Sequence, residues 1–231
     1  MTQTQPKTSQ KAPVEGVLTG RAKNLALTGI FMSMAVSMLS MTVVGTSMPI
    51  IIADINGNQA AFTWVVTGTM LASAISTPIW GKLADLTSKK VLLQLSLILF
   101  TLGSALAGTA QDPGWLIAFR VLQGLGAGGL GALGQIVLAE IISPRERGKY
   151  MGIMGAIMAV STVGGPLLGG AITDAFGWRW NFYVAAPVAI VAIIVLQRTL
   201  HLHTEKRKIK IDYAGATLIS VGFSSLLIWV T

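Results

Sequence analysis

Polar and apolar positions in this chain are sorted into long blocks, not into the short alternations of an amphipathic soluble fold. Leu25–Ile52, Ile55–Gly81, Val91–Gln111, Tyr150–Thr173, Trp180–Gln197 and Tyr213–Thr231 contain no Asp, Glu, Lys or Arg, and Pro113–Ala139 contains only Arg120. A hydrocarbon core is crossed by about 20 apolar residues in helical form. The pattern predicts an all-α membrane protein with six complete transmembrane helices and the start of a seventh. It divides the chain into a flexible polar tail (1–24), a six-helix domain (25–200), a basic loop (201–212) and a seventh helix from 213 to 231. That last helix has no closing loop, so the chain is expected to be a piece of a longer protein.

The expected outer loops "ADINGNQ", "QDPG" and "DAFG" are short, which forces neighbouring helices into an antiparallel, up-down bundle. "SPRE" predicts a helix start, with Ser143 as N-cap, Pro144 in the first position and Glu146 reaching back. The fifth helix should therefore begin in the membrane interface.

Composition agrees with the pattern. The chain of 231 residues is 52% hydrophobic and 11% charged, well below the roughly 25% charged of a soluble domain. The net charge of +8 raises the possibility of nucleic acid, but its distribution argues against it. Of the 17 Lys and Arg, all but Arg120 and Arg179 fall in the tail or in alternate loops, while Asp54, Asp112 and Asp174 mark the opposite loops. This is the positive-inside bias of a multi-pass protein with a cytoplasmic N-terminus. Trp64, Trp115, Trp178 and Trp180 are expected at the outer interface, and Trp80, Tyr150 and Tyr213 at the inner one. The tail lacks the apolar region of a signal peptide. There is no cysteine, so disulfides and thiolate metal sites are excluded. His201 and His203 flank the expected basic loop and read as interfacial, not as metal ligands. No metal or cofactor is expected.

Glycine supplies the candidate packing faces. Helices in lipid associate through small residues that let backbones approach. Gly124, Gly128 and Ala132 recur at spacing four behind Arg120, and Ser161, Gly165 and Gly169 do so in the fifth span. Pro166 removes a helical hydrogen bond and can kink that span. Gly124, Gly126 and Gly129 also spell G-x-G-x-x-G, but the pattern needs a strand before it and a helix after it to bind a dinucleotide. It lies mid-span and is set aside.

Four patterns then stand in order: "GKLADLTSKK" (Gly81–Lys90), "RVLQGLGAGG" (Arg120–Gly129), "GGPLLGG" (Gly164–Gly170) and "GWRWNFYVAAP" (Gly177–Pro187). Together they resemble the major facilitator superfamily, and within it the fourteen-span drug:proton antiporters, over Leu25–Thr231. The resemblance implies the N-terminal half of a proton-coupled multidrug or small-molecule efflux transporter of a prokaryotic-type inner membrane. Its partners would be a small amphipathic substrate, protons, the bilayer and a C-terminal transmembrane domain. It implies a transporter and not an enzyme, and no nucleophile–base or metal cluster appears. The other readings are a nutrient uptake carrier of the same superfamily and a non-transporting sensor or scaffold.

The resemblance also implies roles. Gly81, Asp85, Lys89, Lys90 and Glu140 would form a cytoplasmic latch, with Asp85 capping a helix of the other domain. Arg120 and Gln123 would modulate proton coupling; the alternative for Arg120 is snorkelling to the outer headgroups. Gly124, Gly128, Gly165, Pro166, Gly169 and Gly170 would pack and bend helices, with Pro166 on a seam toward the other domain. Ser40, Met41 and Thr42 are candidate cavity residues. Met32, Met34, Met38, Met41 and Met48 suit either an adaptable cavity or membrane filler. The chain departs from the family at Leu86, Ser88 and Lys89, and Ser40 stands where relatives often keep an acid. With none of the nine acidic residues at mid-membrane, the main proton carboxylate is expected beyond Thr231, with Glu140 as the rival if burial raises its pKa.

Overall fold

The computed structural model describes residues 20–199, together with 221, 222 and 225. The helices are α1 (Gly20–Asp54), α2 (Gln59–Leu86), α3 (Lys89–Ala107), α4 (Pro113–Ile141), α5 (Arg147–Phe176), α6 (Trp180–Tyr183) and α7 (Ala185–Thr199). Among the described residues, six stretches are long and apolar enough to span a membrane, the sixth being α6 and α7 together. Described residues include no strand. The tail to residue 19 and the basic loop with His201 and His203 lie outside the described residues, as does most of the expected seventh helix.

α1 starts at Gly20, so its first turn lies in the stretch expected as tail. No proline or glycine separates Gly20 from Leu25, and Lys23 is held by an ion pair with Glu146 at 2.6 Å. The expected cap at "SPRE" is not formed. Ser143–Glu146 makes a turn, with the Glu146 N–H donating to the Ser143 carbonyl, and α5 starts at Arg147. The Ser143 hydroxyl donates instead to the Glu146 carboxylate at 2.9 Å. Asn58 and Asp112 do cap helices, accepting from the N–H groups of Ala61 and Trp115. The sixth span is interrupted between Tyr183 and Ala185. Pro187 has no N–H for the Tyr183 carbonyl four residues back, so the ladder loses a bond there.

α4 packs chiefly on α2 and α3, and α1 on α5 and α7. Each sequential triplet of spans thus lends its first helix to the other triplet, an exchange suited to a bundle built from two three-helix repeats. Two apolar cores result. One, around Phe100, Leu133 and Leu196, joins α1, α3, α4 and α7 with the end of α2 at Trp80 and Ala84. The other, around Met48, Leu116 and Phe182, fills the opposite end.

Contacts between helix ends fix which termini lie together. At one end Lys23 meets Glu146, Lys89 meets Glu140, and Lys90 Nζ donates to the Gln197 carbonyl at 2.7 Å. At the other end Trp178 Nε1 donates to Asp54 Oδ2 at 2.9 Å, and Arg179 bonds the same oxygen at 3.1 Å while lying 4.2 Å over the Trp178 ring. Gly177 turns the chain there with φ at 90°, a region that a side chain disfavours.

Trp64, Trp115 and Trp180 are exposed on the helix surface, as interfacial anchors should be. Trp80 and Trp178 are not. Both are buried, and Trp80 Nε1 donates to the Leu125 carbonyl at 2.9 Å. The Trp80 indole spends its polar atom inside the bundle, whereas Trp178 stays at the bundle end, bonded to the half-exposed Asp54.

Candidate functional site

Arg120 stands seven residues after the start of α4, so about 10 Å down the helix. It does not snorkel, being only 3% exposed. Its guanidinium donates to Gln123 Oε1 at 2.7 Å and approaches Met41 Sδ at 3.8 Å, while Nε is buried without a partner. Gln123 Nε2 in turn donates to Ser40 Oγ at 3.3 Å. Ser40 and Met41, expected near a cavity, therefore join α1 to the buried arginine of α4. No carboxylate meets Arg120 among the described residues. Arginine at the centre of a membrane helix costs on the order of 3 kcal/mol or more, whereas a hydrogen bond to a charged group returns about 1.5–3 kcal/mol. A neutral amide and a thioether leave the charge itself uncompensated.

Glycines set this geometry by letting helices close on α4 from two sides. A Cβ on Gly124 or Gly128 would strike the backbone of α2 at Thr69 or Ser73. The expected stripe therefore faces α2. Gly126 faces α3 at Phe100 and Ser96, Gly129 sits between Ser96 of α3 and the Trp80 ring of α2, and Gly103 of α3 lies against the Gln123 backbone. This second face was not anticipated from spacing.

Ser161, Gly165 and Gly169 are the buried residues of α5. Thr42 Oγ1 donates to the Ser161 carbonyl at 2.9 Å, and Gly165 has no room for a methyl group beside Thr42. Thr42 is thus part of the α1–α5 contact. Pro166 is exposed and Gly170 has no neighbour within 4 Å of an added Cβ, so both lie off that contact. The methionines of α1 divide, with Met34 and Met48 buried as core and Met32, Met38 and Met41 partly exposed.

The expected latch residues gather at the end shared by the α2–α3 and α4–α5 junctions. Lys89 and Glu140 form an ion pair, which leaves Asp85 exposed and outside it. Lys90 is taken up by the Gln197 carbonyl, and Gly81 faces open space. Glu146 is held below the ordinary carboxylate range, first by the hydrogen bond from Lys23 and then by that from Ser143. Described residues bring no three His, Cys, Asp or Glu side chains together as a metal site.

Asn181, within "GWRWNFYVAAP", is a site residue that the motif does not single out. It is 1% exposed, and its Nδ2 donates to Ser47 Oγ at 2.7 Å and Thr173 Oγ1 at 2.8 Å, tying α1, α5 and α6 together. An amide inside an otherwise apolar span was the available signal. Beside it a cavity of about 400 Å³ opens between α1, α5 and α6–α7. Ser40 lines it, while Met41 and Thr42 do not.

The chain is 39% identical over 206 residues to the multidrug transporter protein MdtP of Bacillus subtilis, covering 89% of this chain and 38% of that protein. It is 39% identical over 216 residues to the efflux pump dotC of Dothistroma septosporum, covering 90% and 37%. It thus spans less than two fifths of these relatives. The crystal structure of the human organic anion transporter MFSD10 superposes with a TM-score of 0.66 at 15% identity, covering 85% of this chain and 53% of that one. A bacterial homologue of the human lysosomal transporter Spinster, solved inward-facing, gives the same score at 19% identity, with 85% and 47% covered. These two likenesses concern the fold. The sequence profile described as Major Facilitator Superfamily matches residues 30–229. With six membrane-length helices in this arrangement, the chain belongs to the Major Facilitator Superfamily.

Proposed function

We propose that the protein containing this chain is a proton-coupled exporter of small amphipathic molecules, working by alternating access between two helical domains in a cell membrane. The N-terminus would be cytoplasmic and the full architecture that of the fourteen-span antiporters. Arg120 carries the reading. A buried cation held by a neutral amide is poised to lower the pKa of an acid brought beside it, and to raise the cost of protonating that acid as access alternates. The names of its multidrug and efflux relatives support export of drug-like substrates.

The main proton carboxylate would lie in the further length that the relatives possess. Glu140 is a poor rival, because its side chain is 42% exposed and paired with Lys89. Asp54 and Glu146 are engaged at the bundle ends. Asp85, exposed and without an ion pair among the described residues, suits a latch that engages a helix of the second domain in one state of access.

Proton-driven efflux by the whole protein in proteoliposomes tests the proposal. Arg120→Ala should abolish substrate–proton exchange, and Arg120→Lys should restore it only in part, because lysine lacks the planar donor fork. Normal exchange by Arg120→Ala would reduce the guanidinium to a packing element. Glu140→Gln should keep exchange; losing it with normal expression and substrate binding would move the proton site to Glu140.

A further inference from the structure

Between Arg120 and Gln135, α4 carries six glycines. Glycine is the weakest helix former after proline, so this stretch depends on its neighbours to stay wound. α2 supplies the support. Trp80, 8% exposed, donates from Nε1 to the Leu125 carbonyl at 2.9 Å, and its ring fills the space beside Gly129, where an added Cβ would lie 2.8 Å from it. Gly129 is four residues beyond Leu125, the position whose N–H serves that carbonyl within an α-helix. The indole therefore covers this turn from outside.

Trp80 is the donor committed to the turn. The Ser76 hydroxyl lies 3.2 Å from the Leu125 carbonyl but 3.1 Å from that of Ser73 on its own helix. Thr77 Oγ1 lies 3.5 Å from the Gly128 carbonyl against 2.8 Å from that of Ser73. Each hydroxyl has one proton to share between two acceptors. The Trp80 N–H has a single acceptor among the described residues.

The turn that Trp80 holds follows directly on the Arg120–Gln123 pair. Gln123 Oε1 is the one oxygen that Arg120 bonds among the described residues, so the guanidinium is aimed by where the Gln123 backbone stands. Gly103 of α3 closes on that backbone from one side. Loosening the next turn would free Gln123 to move relative to Arg120.

We infer that Trp80 is a positioning residue: by holding the Leu125 carbonyl it keeps the glycine-rich turn of α4 wound, and so fixes the Arg120–Gln123 pair. This deepens the reading of Arg120 given above and rests on it only for its bearing on transport.

Hydrogen exchange and nitrogen-15 arginine spectra of the whole protein in lipid nanodiscs test it, with the Arg120 guanidinium signals assigned by their loss in Arg120→Lys. Trp80→Phe, which removes the N–H, should speed exchange of the amides at 124–130 roughly three- to tenfold, the factor that one net hydrogen bond gives. Amides at 160–168 of α5 should be unchanged, and the Arg120 signals should move. Replacing Trp80 with benzothienylalanine, which keeps the two-ring shape without the N–H, should do the same and serves should the first variant misfold. Trp64→Phe, at the exposed far end of α2, should change neither readout. Arg120 signals that stay in place in a folded variant would overturn the inference. So would equal quickening in α5, which would mark a general loosening of the bundle. Normal substrate–proton exchange by Arg120→Ala would strike the transport reading alone, since neither measurement depends on transport.

Discussion

Arg120 and Gln123, one turn apart on α4, form a buried donor–acceptor pair at 2.7 Å, and Gln123 passes the link on to Ser40 of α1. The charge of Arg120 is thus oriented by its own helix and referred to the neighbouring one. Breaking a buried polar network from one side costs more than replacing it entirely. Gln123→Leu should therefore destabilise the fold by about 1–3 kcal/mol, while the double variant Arg120→Met/Gln123→Leu recovers most of it. Thermal unfolding in detergent measures the cycle, and additive losses would show the two side chains to be independent.

The glycine faces predict opposite outcomes for similar changes. Gly128→Ala drives a methyl group into Ser73 and Ser76 of α2 and should lose about 1–3 kcal/mol, the range of overpacking. Gly170→Ala meets open space and should be neutral or gain up to about 1 kcal/mol from helix propensity. Folded yield and melting temperature distinguish the two, and equal effects would mean that α4 does not approach α2 as described.

The Lys89–Glu140 pair is partly exposed, so Glu140→Gln should cost no more than about 1 kcal/mol of stability. Asp85→Asn should leave the fold intact and impair transport more than substrate binding, because a latch acts in one conformational state. Binding isotherms and efflux rates on the same preparation check this, and loss of binding with an unchanged access equilibrium would count against the latch.

Glu146 gives a pH dependence of known sign. Its folded-state pKa is lowered, chiefly by Lys23 and then by Ser143, so its contribution is present above the unfolded value of about 4.3 and is lost as pH falls through the lower folded value. The melting-temperature difference between wild type and Glu146→Gln should be constant near neutrality and shrink only below about pH 4.5. A difference already shrinking at pH 6 would exclude the contact as its source.

Sidedness can be read directly, because the chain has no cysteine to interfere. Cysteines replacing Lys89 or Arg147 should be shielded from an impermeant thiol reagent added outside intact cells, and those replacing Asp54 or Asp174 should react. Labelling at position 147 from outside would invert the topology.

The spans, the clustering of charges at opposite ends and the Ser161–Gly165–Gly169 stripe are all legible in the sequence, because each reflects a property of a single helix. Backbone polar groups in lipid must be satisfied within the helix itself, so an uncharged apolar block of sufficient length is already a structural statement. Helix ends were less legible. Ser143 had the chemistry of a cap, but its hydroxyl bonds the Glu146 carboxylate, which Lys23, distant in sequence, holds in an ion pair.

Which face meets which neighbour was decided only by the tertiary structure. α4 carries glycine on several sides, so its sequence permits more than one approach, and packing assigned Gly124 and Gly128 to α2, Gly126 to α3 and Gly129 to the seam between Trp80 of α2 and Ser96 of α3. The same holds for Trp80 and Trp178, which suit an interface equally well until a carbonyl or carboxylate on another helix takes the indole N–H. Asn181 and its cleft arise from three helices meeting at once. Hydropathy acts along a chain and could be read there; close packing and hydrogen bonding between helices act across it, and only the folded bundle defines their partners.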